Sequence, residues 1–448
     1  MKPNADLHSF LSLVPPVERW EAYVQGRQAI HAEYGNIHST EPKLKLTPIS
    51  KWGGRITTFD RKERFIIEGY LQEQTLYGNT VISTLKGDFS PPEATHTLRE
   101  EVKAKIDPSA VSAEELWQQI RYKLEWLIER LQSEHYQIKV WCGWEFRGYY
   151  NSPGSAMTSV FPLSKLKVSV KIAEGGLIKR IGMREGVEFF DNIPRALMED
   201  FLHDVRQAKV AKKGELIPMV IVLDPEAMSM FIHETLGHSS EGDHVRAGES
   251  YLPTFRGKRI APRGVTIVDS PKRFSTLGSY PFDDEGTLPQ TVYVLEDGVV
   301  RDYLTDRSSS TSLHVKPTGN SRSFWYDATP KVRMSNFVML AGARSLASVL
   351  SEVNDGLLIK GMREGGSNER TGDFHFKPNI AYKVRDGELK EAILIPEIKG
   401  NALDYLNAIT EVSSEWSLCV AGCGKPTPQT DYVWVGYGAP FVKFDRRL

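Results

Sequence analysis

A continuous apolar segment that leads directly into a helix start is the feature that most constrains the fold. Residues 216–223 (Leu-Ile-Pro-Met-Val-Ile-Val-Leu) are typical of a buried strand. Asp224, Pro225 and Glu226 follow at once. Aspartate favours the N-cap of a helix, proline its first position and glutamate its first turn. The sequence therefore predicts a buried strand followed by a helix that begins at about residue 225.

Beyond this helix the pattern predicts mostly strands. Two Asp-Gly pairs, at residues 297–298 and 386–387, lie between alternating apolar runs, which is a strong signal for β-hairpins. Shorter helical patterns interrupt the strands near residues 345–354 and 401–410. We therefore expect residues 213–448 to form a strand-rich, barrel-like C-terminal domain.

The first part of the chain predicts a mixed α/β domain over residues 1–212. Helical patterning covers Pro16–Ala32, and the clearest helix is Glu114–Ser133, where apolar residues follow a 3.6-residue period. Tyr136–Tyr149 reads as a strand, and Phe201–Lys213 as a helical connector. Together the two parts predict an α+β fold.

Charge and cysteine content exclude several classes of protein. Lys+Arg total 56 and Asp+Glu total 57, so no global field favours nucleic acid or an anionic membrane. The sequence has no apolar run of about 18 residues, and residues 1–15 do not resemble a secretory signal. Three cysteines, at 142, 419 and 423, argue against a disulfide framework. We therefore expect a cytoplasmic protein that neither crosses membranes nor binds nucleic acid directly.

Two histidines near the end of the predicted helix form the main candidate metal motif, His233-Glu-Thr-Leu-Gly-His238. Zinc-binding helices usually place two histidines four residues apart, on one face. A spacing of five rotates the second side chain by about 140° on a regular helix. Gly237 permits a helix end or a local π-type widening that would bring the rings together. The alternative is two unrelated surface histidines.

A zinc site needs a third protein ligand, and a catalytic site leaves a fourth position open. Glu241, Asp243, His244 and the distant Cys423 are candidates. Cys423 lies between Gly422 and Gly424, which permit close approach of the backbone to an ion. Cys419 and Cys142 have apolar surroundings in the sequence, so we expect both to be buried core residues.

Glu234 is adjacent to a candidate ligand and is better suited as the general base for water than as a ligand. Zinc is the expected cofactor, since it polarises carbonyl groups, acidifies water, and is favoured by imidazole and thiolate donors. Glu241 and Asp243 could orient the imidazoles from outside the ligand set, or could belong to a solvated acidic loop.

Six ordered segments of the second domain make the chain resemble the TldD/PmbA family of metallopeptidases, also labelled modulators of DNA gyrase. We interpret the chain as similar to the TldD-like, metal-bearing members. The segments are His233-Glu-Thr-Leu-Gly-His-Ser-Ser-Glu-Gly-Asp243, Asp283-Asp-Glu-Gly286, Pro317-Thr-Gly-Asn-Ser-Arg322, Arg333-Met-Ser-Asn336, Thr371-Gly-Asp-Phe374, and Cys423-Gly-Lys425 with Val435-Gly-Tyr-Gly-Ala-Pro440.

The resemblance implies that His233, His238 and Cys423 hold zinc. It also implies a dimer, either of two identical chains or of this chain with a metal-free PmbA-type paralogue. Extended or unfolded peptides would be the substrates, bound in part through main-chain hydrogen bonds to a sheet edge. Many members carry Gly-Leu after the second histidine, where this chain has Ser239-Ser240. Substrate preference is therefore not implied.

Two further segments have open interpretations. Asn320 and Arg322 could contact a substrate carbonyl or carboxylate, or could belong to a turn with a surface arginine. Residues 361–372 are glycine-rich but lack the spacing of a phosphate-binding loop, so we expect a mobile loop near the cleft.

The leading hypothesis is a zinc peptidase. A non-catalytic metal-binding partner or assembly subunit is the first alternative, and a zinc amidohydrolase that acts on non-peptide amides is the second. The presence of Glu234 favours an enzyme, because a structural zinc site has no use for a base and usually takes four protein ligands.

Overall fold

Two β-sheets, one in each half of the chain, organise the structure. The computed structural model describes residues 20–58, 63–72, 75–84, 95–173, 175–216, 219–425 and 431–446. Within these ranges every helix is too short or too polar to cross a lipid bilayer. The α+β class that the sequence predicts is confirmed.

The N-terminal sheet contains eight strands in the order β4-β3-β2-β1-β6-β7-β5, and β8 also pairs with β7. All neighbours are antiparallel except β5 and β7. The strands are β1 Trp20–Gly35, β2 Lys43–Thr58, β3 Glu63–Gln72, β4 Thr75–Thr84, β5 Thr97–Glu101, β6 His135–Asn151, β7 Ala156–Ile172 and β8 Gly175–Met183.

Helices cover one face of this sheet. They are α1 Ala113–Lys123, α2 Glu125–Leu131 and α3 Arg195–Val210. Ser112 and Glu115 form a capping box that fixes the start of α1. The predicted helix Glu114–Ser133 is interrupted at Leu124, which lies outside helical geometry with φ −95° and ψ 0°. Residues 135–142 of β6 alternate between buried and less buried, so this part of the sheet packs one face on the helices, whereas residues 142–151 are all buried.

The C-terminal sheet contains twelve strands in the order β13-β12-β11-β16-β22-β10-β17-β18-β19-β9, with β20 beside β18 and β21 beside β22. The strands are β9 Lys212–Lys213, β10 Val220–Leu223, β11 Ile267–Asp269, β12 Val292–Glu296, β13 Val299–Val300, β16 Asn336–Met339, β17 Asp355–Ser367, β18 Asp373–Arg385, β19 Glu388–Leu394, β20 Ile398–Asn401, β21 Ile409–Lys425 and β22 Asp431–Asp445. A separate pair joins β14 Ser321–Arg322 to β15 Lys331–Val332.

Short helices connect these strands. They are α4 Pro225–Ile232, α5 Gly242–Arg246, α6 Arg307–Leu313, α7 Leu346–Leu350 and α8 Ala402–Asn407. Both predicted Asp-Gly hairpins are confirmed, one joining β12 to β13 and the other β18 to β19. Asp297 and Asp386 have φ 49°, and the glycines that follow have φ 77° and 78°. Positive φ at both central residues is the geometry that hairpin turns of this type require.

One hydrophobic cluster spans the two sheets, and a second cluster lies within the C-terminal half. Val205 of α3 is buried in a cluster with Ile138 of β6, and the same cluster includes Val222 of β10 and Leu358 of β17. The change of sheet occurs between Met183 and Lys212. A domain boundary at residues 212 and 213 stays a prediction.

Two predicted elements are wrong. Residues 20–32 of the predicted helix Pro16–Ala32 belong to strand β1, which is paired along its length with β2 and β6, and residues 16–19 lie outside the described ranges. Placement between two long strands outweighs the weak helical pattern. The expected loop at residues 361–372 is largely the second half of β17, which pairs with β18 as far as Ser367.

The predicted transition from strand to helix is confirmed where the structure describes it. Asp224 is the N-cap of α4, and its Oδ1 accepts hydrogen bonds from the backbone N–H of Ala227 at 2.7 Å and of Gly361 at 2.9 Å. Burial and the nearby charge of Glu226 raise the pKa of Asp224 to about 6, although the charge of Lys179 opposes the shift. Helix α4, which leads into His233, therefore begins at a carboxyl group whose ionised form is destabilised by burial.

Asp224→Asn should stabilise the protein near pH 8, because the amide oxygen keeps the cap and removes a buried charge. The folded-state pKa lies above the unfolded value of about 3.9, so the wild-type carboxyl favours folding below pH 3.9 and loses that contribution as the pH rises through 6. The gain of the variant over wild type should approach on the order of 3 kcal/mol at pH 8 and vanish near pH 4. Denaturant melts at several pH values measure it.

Asp224→Ala is the matched control, since it removes the charge together with the cap. It should be less stable than Asp224→Asn by about 1 kcal/mol. A gain for Asp224→Asn that does not depend on pH would contradict the assigned burial of charge.

Candidate metal centre

A single turn of π-helix begins at the first histidine and ends just before the second. Helix α4 ends at Ile232, residues His233–Gly237 form the π turn, and His238–Ser240 follow as a 3-10 turn. The backbone N–H of His238 donates to the carbonyl of His233, a bond across five residues. A Cβ at Gly237 would collide with the sulfur of Met334. The predicted π-type widening is present, but Gly237 has ordinary helical geometry, φ −60° and ψ −59°, so what favours glycine here is its close packing against Met334.

Side chains satisfy the carbonyl groups that the widened turn leaves free. The hydroxyl of Thr235 donates to the carbonyl of Phe231 at 2.6 Å, and that of Ser239 donates to the carbonyl of Thr235 at 3.0 Å. Tyr251 adds a further bond to the same carbonyl at 3.0 Å. These bonds compensate for the lost helical pattern, because a buried carbonyl without a donor is costly.

Strand β21 brings Cys423 to the two rings. Each of His233, His238 and Cys423 offers one donor atom, and the three atoms lie within 4.8 Å of one another. Cys423 Sγ is 3.8 Å from His238 Nε2, and the two ring centroids are 5.0 Å apart at an interplanar angle of 81°. All three side chains are buried. Cys423 and His238 are 185 positions apart in sequence, and the structure brings their side chains together as the predicted metal site requires.

The surroundings of Cys423 favour its thiolate form. Burial opposes ionisation, but the charges of Arg333 and His238 and hydrogen bonds from both histidines hold the pKa of Cys423 well below its ordinary value. Arg333 is itself buried and donates to the backbone carbonyl of Cys423. The thiolate is the form of cysteine that binds metal ions.

Glu241 orients the second histidine. Its Oε2 lies 3.1 Å from His238 Nδ1, which leaves Nε2 facing Cys423. Burial opposes ionisation of Glu241, but the charges of Lys425 and His238 hold its pKa well below the usual range. An ionised carboxylate on Nδ1 fixes the tautomer and makes the other nitrogen a better donor to a metal.

Asp243 contacts Lys425 instead of an imidazole. Lys425 Nζ lies 2.7 Å from both carboxylate oxygens of Asp243 and 3.0 Å from Glu241 Oε2. Glu241, Asp243 and His244 form a second close group of potential ligands, but the ammonium of Lys425 already contacts both carboxylates. We therefore infer that Glu241, Asp243 and His244 support the ligand group of His233, His238 and Cys423 and do not form a second metal site.

The donor set suits a metal ion. Two buried imidazoles and a buried thiolate are soft to intermediate donors, and the nitrogen of His238 that faces the thiol is fixed from behind by Glu241. His233 Nδ1 is buried without a hydrogen-bond partner among the described residues. Three protein donors are the number that catalytic zinc sites supply, the fourth position being taken by water or substrate.

Glu234 lies next to this cluster in the π turn. Burial raises the pKa of its carboxyl, the charges of His233 and His238 oppose the shift, and that of Cys423 adds to it. The side chain is partly exposed, unlike its neighbours. Its backbone carbonyl accepts a hydrogen bond from Ser367 of β17 at 2.7 Å, which ties the turn to the sheet.

Asn320 and Arg322 lie in the interior, and this geometry does not support the expected substrate contacts. The amide of Asn320 donates to Asp269 Oδ2 at 2.8 Å and to the carbonyl of Arg333 at 3.0 Å. Arg322 donates to the carbonyls of Met334 at 2.6 Å and Trp434 at 2.8 Å. Their exposed fractions are 0% and 1%, so both side chains stabilise the loops behind the site.

Sequence reasoning assigned no role to Lys425 and Arg333, although both lie in segments that carried the family resemblance. Their functions depend on partners distant in sequence, Glu241 and the carbonyl of Cys423. The sequence signal that could have identified such residues is a charged side chain close to a candidate metal ligand. Cys142 and Cys419 are buried, as predicted, and neither belongs to the close group of donors.

Known proteins resemble this chain in sequence and in fold. A 35% identical stretch of 223 residues aligns with a metalloprotease of Methanothermobacter thermautotrophicus and covers 50% of this chain and 48% of that protein. A zinc metalloprotease TldD homolog of Saccharolobus solfataricus is 29% identical over 316 residues, 69% of each chain. The chain spans about half the length of the archaeal metalloproteases that it matches at 35% and 33% identity.

The fold matches the crystal structure of TldE from Thermococcus kodakarensis with a TM-score of 0.72 and 19% identity, over 96% of both chains. The family model of the PmbA/TldA metallopeptidase C-terminal domain matches residues 218–446, which include the π turn, its two histidines and Cys423. With that match covering the whole candidate metal centre, the chain belongs to the PmbA/TldD family.

Proposed function

We propose that this chain is a zinc-dependent peptidase in which His233, His238 and Cys423 hold the metal and Glu234 is the general base. The observation that carries the proposal is the close group of three buried donors, all within 4.8 Å, with a carboxylate of raised pKa in the same turn. Relatives named metalloprotease and zinc metalloprotease support the same activity.

The chemistry that zinc supplies when bound is Lewis acidity, which polarises an amide carbonyl and makes water more acidic. The protein supplies the remaining steps. Glu234 accepts a proton from the attacking water and then donates it to the leaving amine. Burial raises the pKa of this carboxyl above its ordinary value, the direction that favours return of the proton to the leaving amine.

Glu241 and Lys425 support these steps without touching the substrate. Glu241 keeps the Nδ1 proton of His238, and Lys425 holds Glu241 ionised and in place. Arg333 fixes the backbone of Cys423 from the other side. The ligand geometry is therefore set before a metal or a substrate arrives.

We further propose that the substrates are extended or unfolded peptides and that the chain acts as a dimer, with itself or with a metal-free relative. Support for the pairing comes from the family and from the match to a structure titled TldE along nearly the whole chain. An extended peptide can pair with the edge of a strand, and both halves of this chain are built from long strands.

Glu234→Gln should retain zinc and lose peptide cleavage. The amide preserves the shape of the side chain but cannot accept a proton, so the rate should fall by about 10²–10⁴-fold. Zinc content by elemental analysis and cleavage of a mixed peptide pool by mass spectrometry measure the two properties.

The cleavage assay is repeated with any co-purifying subunit present, and the mass of the assembly in solution is recorded. Undiminished cleavage by Glu234→Gln would remove the assigned base. Zinc without cleavage of peptides by wild type would favour the assembly role, and turnover of small non-peptide amides alone would favour an amidohydrolase.

Cys423→Ala should weaken zinc binding, whereas Cys419→Ala should not. Both cysteines are buried on the same strand, so the pair separates loss of a ligand from loss of packing. The loss at Cys423 should exceed the about 10–100-fold effect expected for an outer partner. Competition with a chromogenic chelator measures affinity, and equal effects of the two substitutions would rule out Cys423 as a ligand.

Lys425→Met should weaken zinc binding by about 10–100-fold through Glu241 and His238. Lys443→Met is the matched control, because Lys443 forms a comparable pair with Glu352, at 2.6 Å, away from the donors. Glu241→Gln combined with Lys425→Met should cost little more than either change alone, since the two act in series. Additive losses in zinc affinity would contradict this connection.

A further inference from the structure

A row of charged side chains crosses five strands of the N-terminal sheet. Direct cross-strand pairs link Lys45 to Glu33, Glu33 to Lys139, Lys139 to Lys167, and Lys167 to Arg180. Directly paired residues project from the same face of a sheet, with Cβ atoms about 5 Å apart. This is the face opposite helices α1 and α2. We call Lys45, Lys139, Lys167 and Arg180, with Glu33 between them, the basic row.

A fifth cation lies one step along β7 from the basic row. Lys165 Nζ is 3.6 Å from the ring centre of Trp434, and Trp141 contacts the same ring edge-on at 6.1 Å. Trp434 lies on β22 and is paired with Gly422, next to Cys423. The basic row therefore borders the strand pair that carries the candidate thiolate ligand.

The cations of this face exceed its carboxylates. Glu33 forms an ion pair with Lys139 at 3.1 Å. Among the residues that the structure describes, no carboxylate lies within ion-pair distance of Lys165, Lys167 or Arg180. Arg180 donates through Nη2 to the carbonyl of Arg363 at 3.2 Å, and its Nη1 is buried without a partner in the same described set.

This arrangement is costly without an anion. Burial and the charges of Arg180 and Lys167 lower the pKa of Lys165 to about 7, and burial with Arg180 and Lys139 lowers that of Lys167. Like charges collected on a half-buried face repel one another more strongly than they would in water. A bound anion would relieve this repulsion, so the face favours anionic ligands.

We propose that the basic row binds the carboxylates of an acidic, extended peptide segment. The inference rests on the proposed peptidase function and adds acidic peptides as its substrate class. Cations on neighbouring strands lie about 4.8 Å apart, and side chains on one side of an extended peptide repeat about every 7 Å, so several carboxylates can reach the row at once.

A nucleic acid fits this face less well. Glu33 interrupts the row and would repel a continuous phosphate backbone, whereas a peptide carries separate carboxylates. Lys165 is buried beneath Trp434, and the side chain of Lys139 is only 33% exposed. Such recessed groups are accessible to a single side chain more readily than to a duplex.

The test measures binding of a fluorescent decapeptide rich in glutamate to the full-length Glu234→Gln protein by anisotropy, at 50 and 200 mM salt. A peptide with glutamine in place of each glutamate is the neutral comparison. Lys167→Met with Arg180→Met removes two adjacent, unpaired charges. Lys383→Met with Lys399→Met is the matched control, because those lysines already pair with Glu391 and Glu397 at 2.8 Å.

The acidic peptide should bind at least tenfold more tightly than the neutral peptide, and the row variant alone should lose that preference. The row variant should melt no lower than the control variant, because it removes repulsion. Equal loss in both variants would show an effect of overall charge and overturn the proposal, as would preferential binding of single-stranded DNA that the row variant abolishes.

The binding and cleavage measurements distinguish failure of the basic row from failure of the proposed peptidase function. Cleavage of neutral peptides by wild type without binding of the acidic peptide would refute the basic row as a peptide site and leave the peptidase intact. Binding of the acidic peptide in a protein that cleaves nothing would refute acidic peptides as a substrate class.

Discussion

The widened turn at His233–Gly237 is the constraint on which the site depends. Two histidines five apart on a regular helix would face different directions, and the π turn places their rings 5.0 Å apart. Gly237 packs against Met334 without a side chain, and the hydroxyl groups of Thr235 and Ser239 donate to carbonyls of the same segment. Pairing of β21 with β22 then brings in Cys423, so the ligand geometry follows from the π turn and the sheet together.

Two buried cations lie next to the candidate metal ligands. Lys425 supports Glu241 behind His238, and Arg333 lies behind Cys423. A buried ion without a partner costs several kcal/mol, so these cations are needed even before a metal is considered. Lys425 acts through Glu241, which keeps the imidazole of His238 oriented, whereas Arg333 favours the thiolate form of Cys423. Burial opposes protonation of His238, but the charges of Cys423 and Glu241 hold its pKa well above its ordinary value, so an arriving metal ion displaces a proton from the imidazole.

Local signals were sufficient for caps and turns and insufficient where distant residues decide the structure. The cap at Asp224 and the turns at Asp297 and Asp386 depend on residues close in sequence, and each was predicted. The local pattern of β1 predicts a helix, whereas its strand conformation is set by pairing with β2 and β6. The structural role of Asn320 cannot be predicted locally, because its contact with Asp269 spans 51 positions.

The position of the basic row likewise cannot be predicted from composition or local sequence. With Lys+Arg at 56 and Asp+Glu at 57, composition predicts no field around the molecule as a whole. Five strands bring Lys45, Lys139, Lys167 and Arg180 into one line only because their registers coincide. Shifting one strand by a single residue would move its lysine to the helix-covered face, where burial of a charge is prohibitive. The helix-packed apolar face therefore fixes the register, and the register in turn fixes where positive charge accumulates.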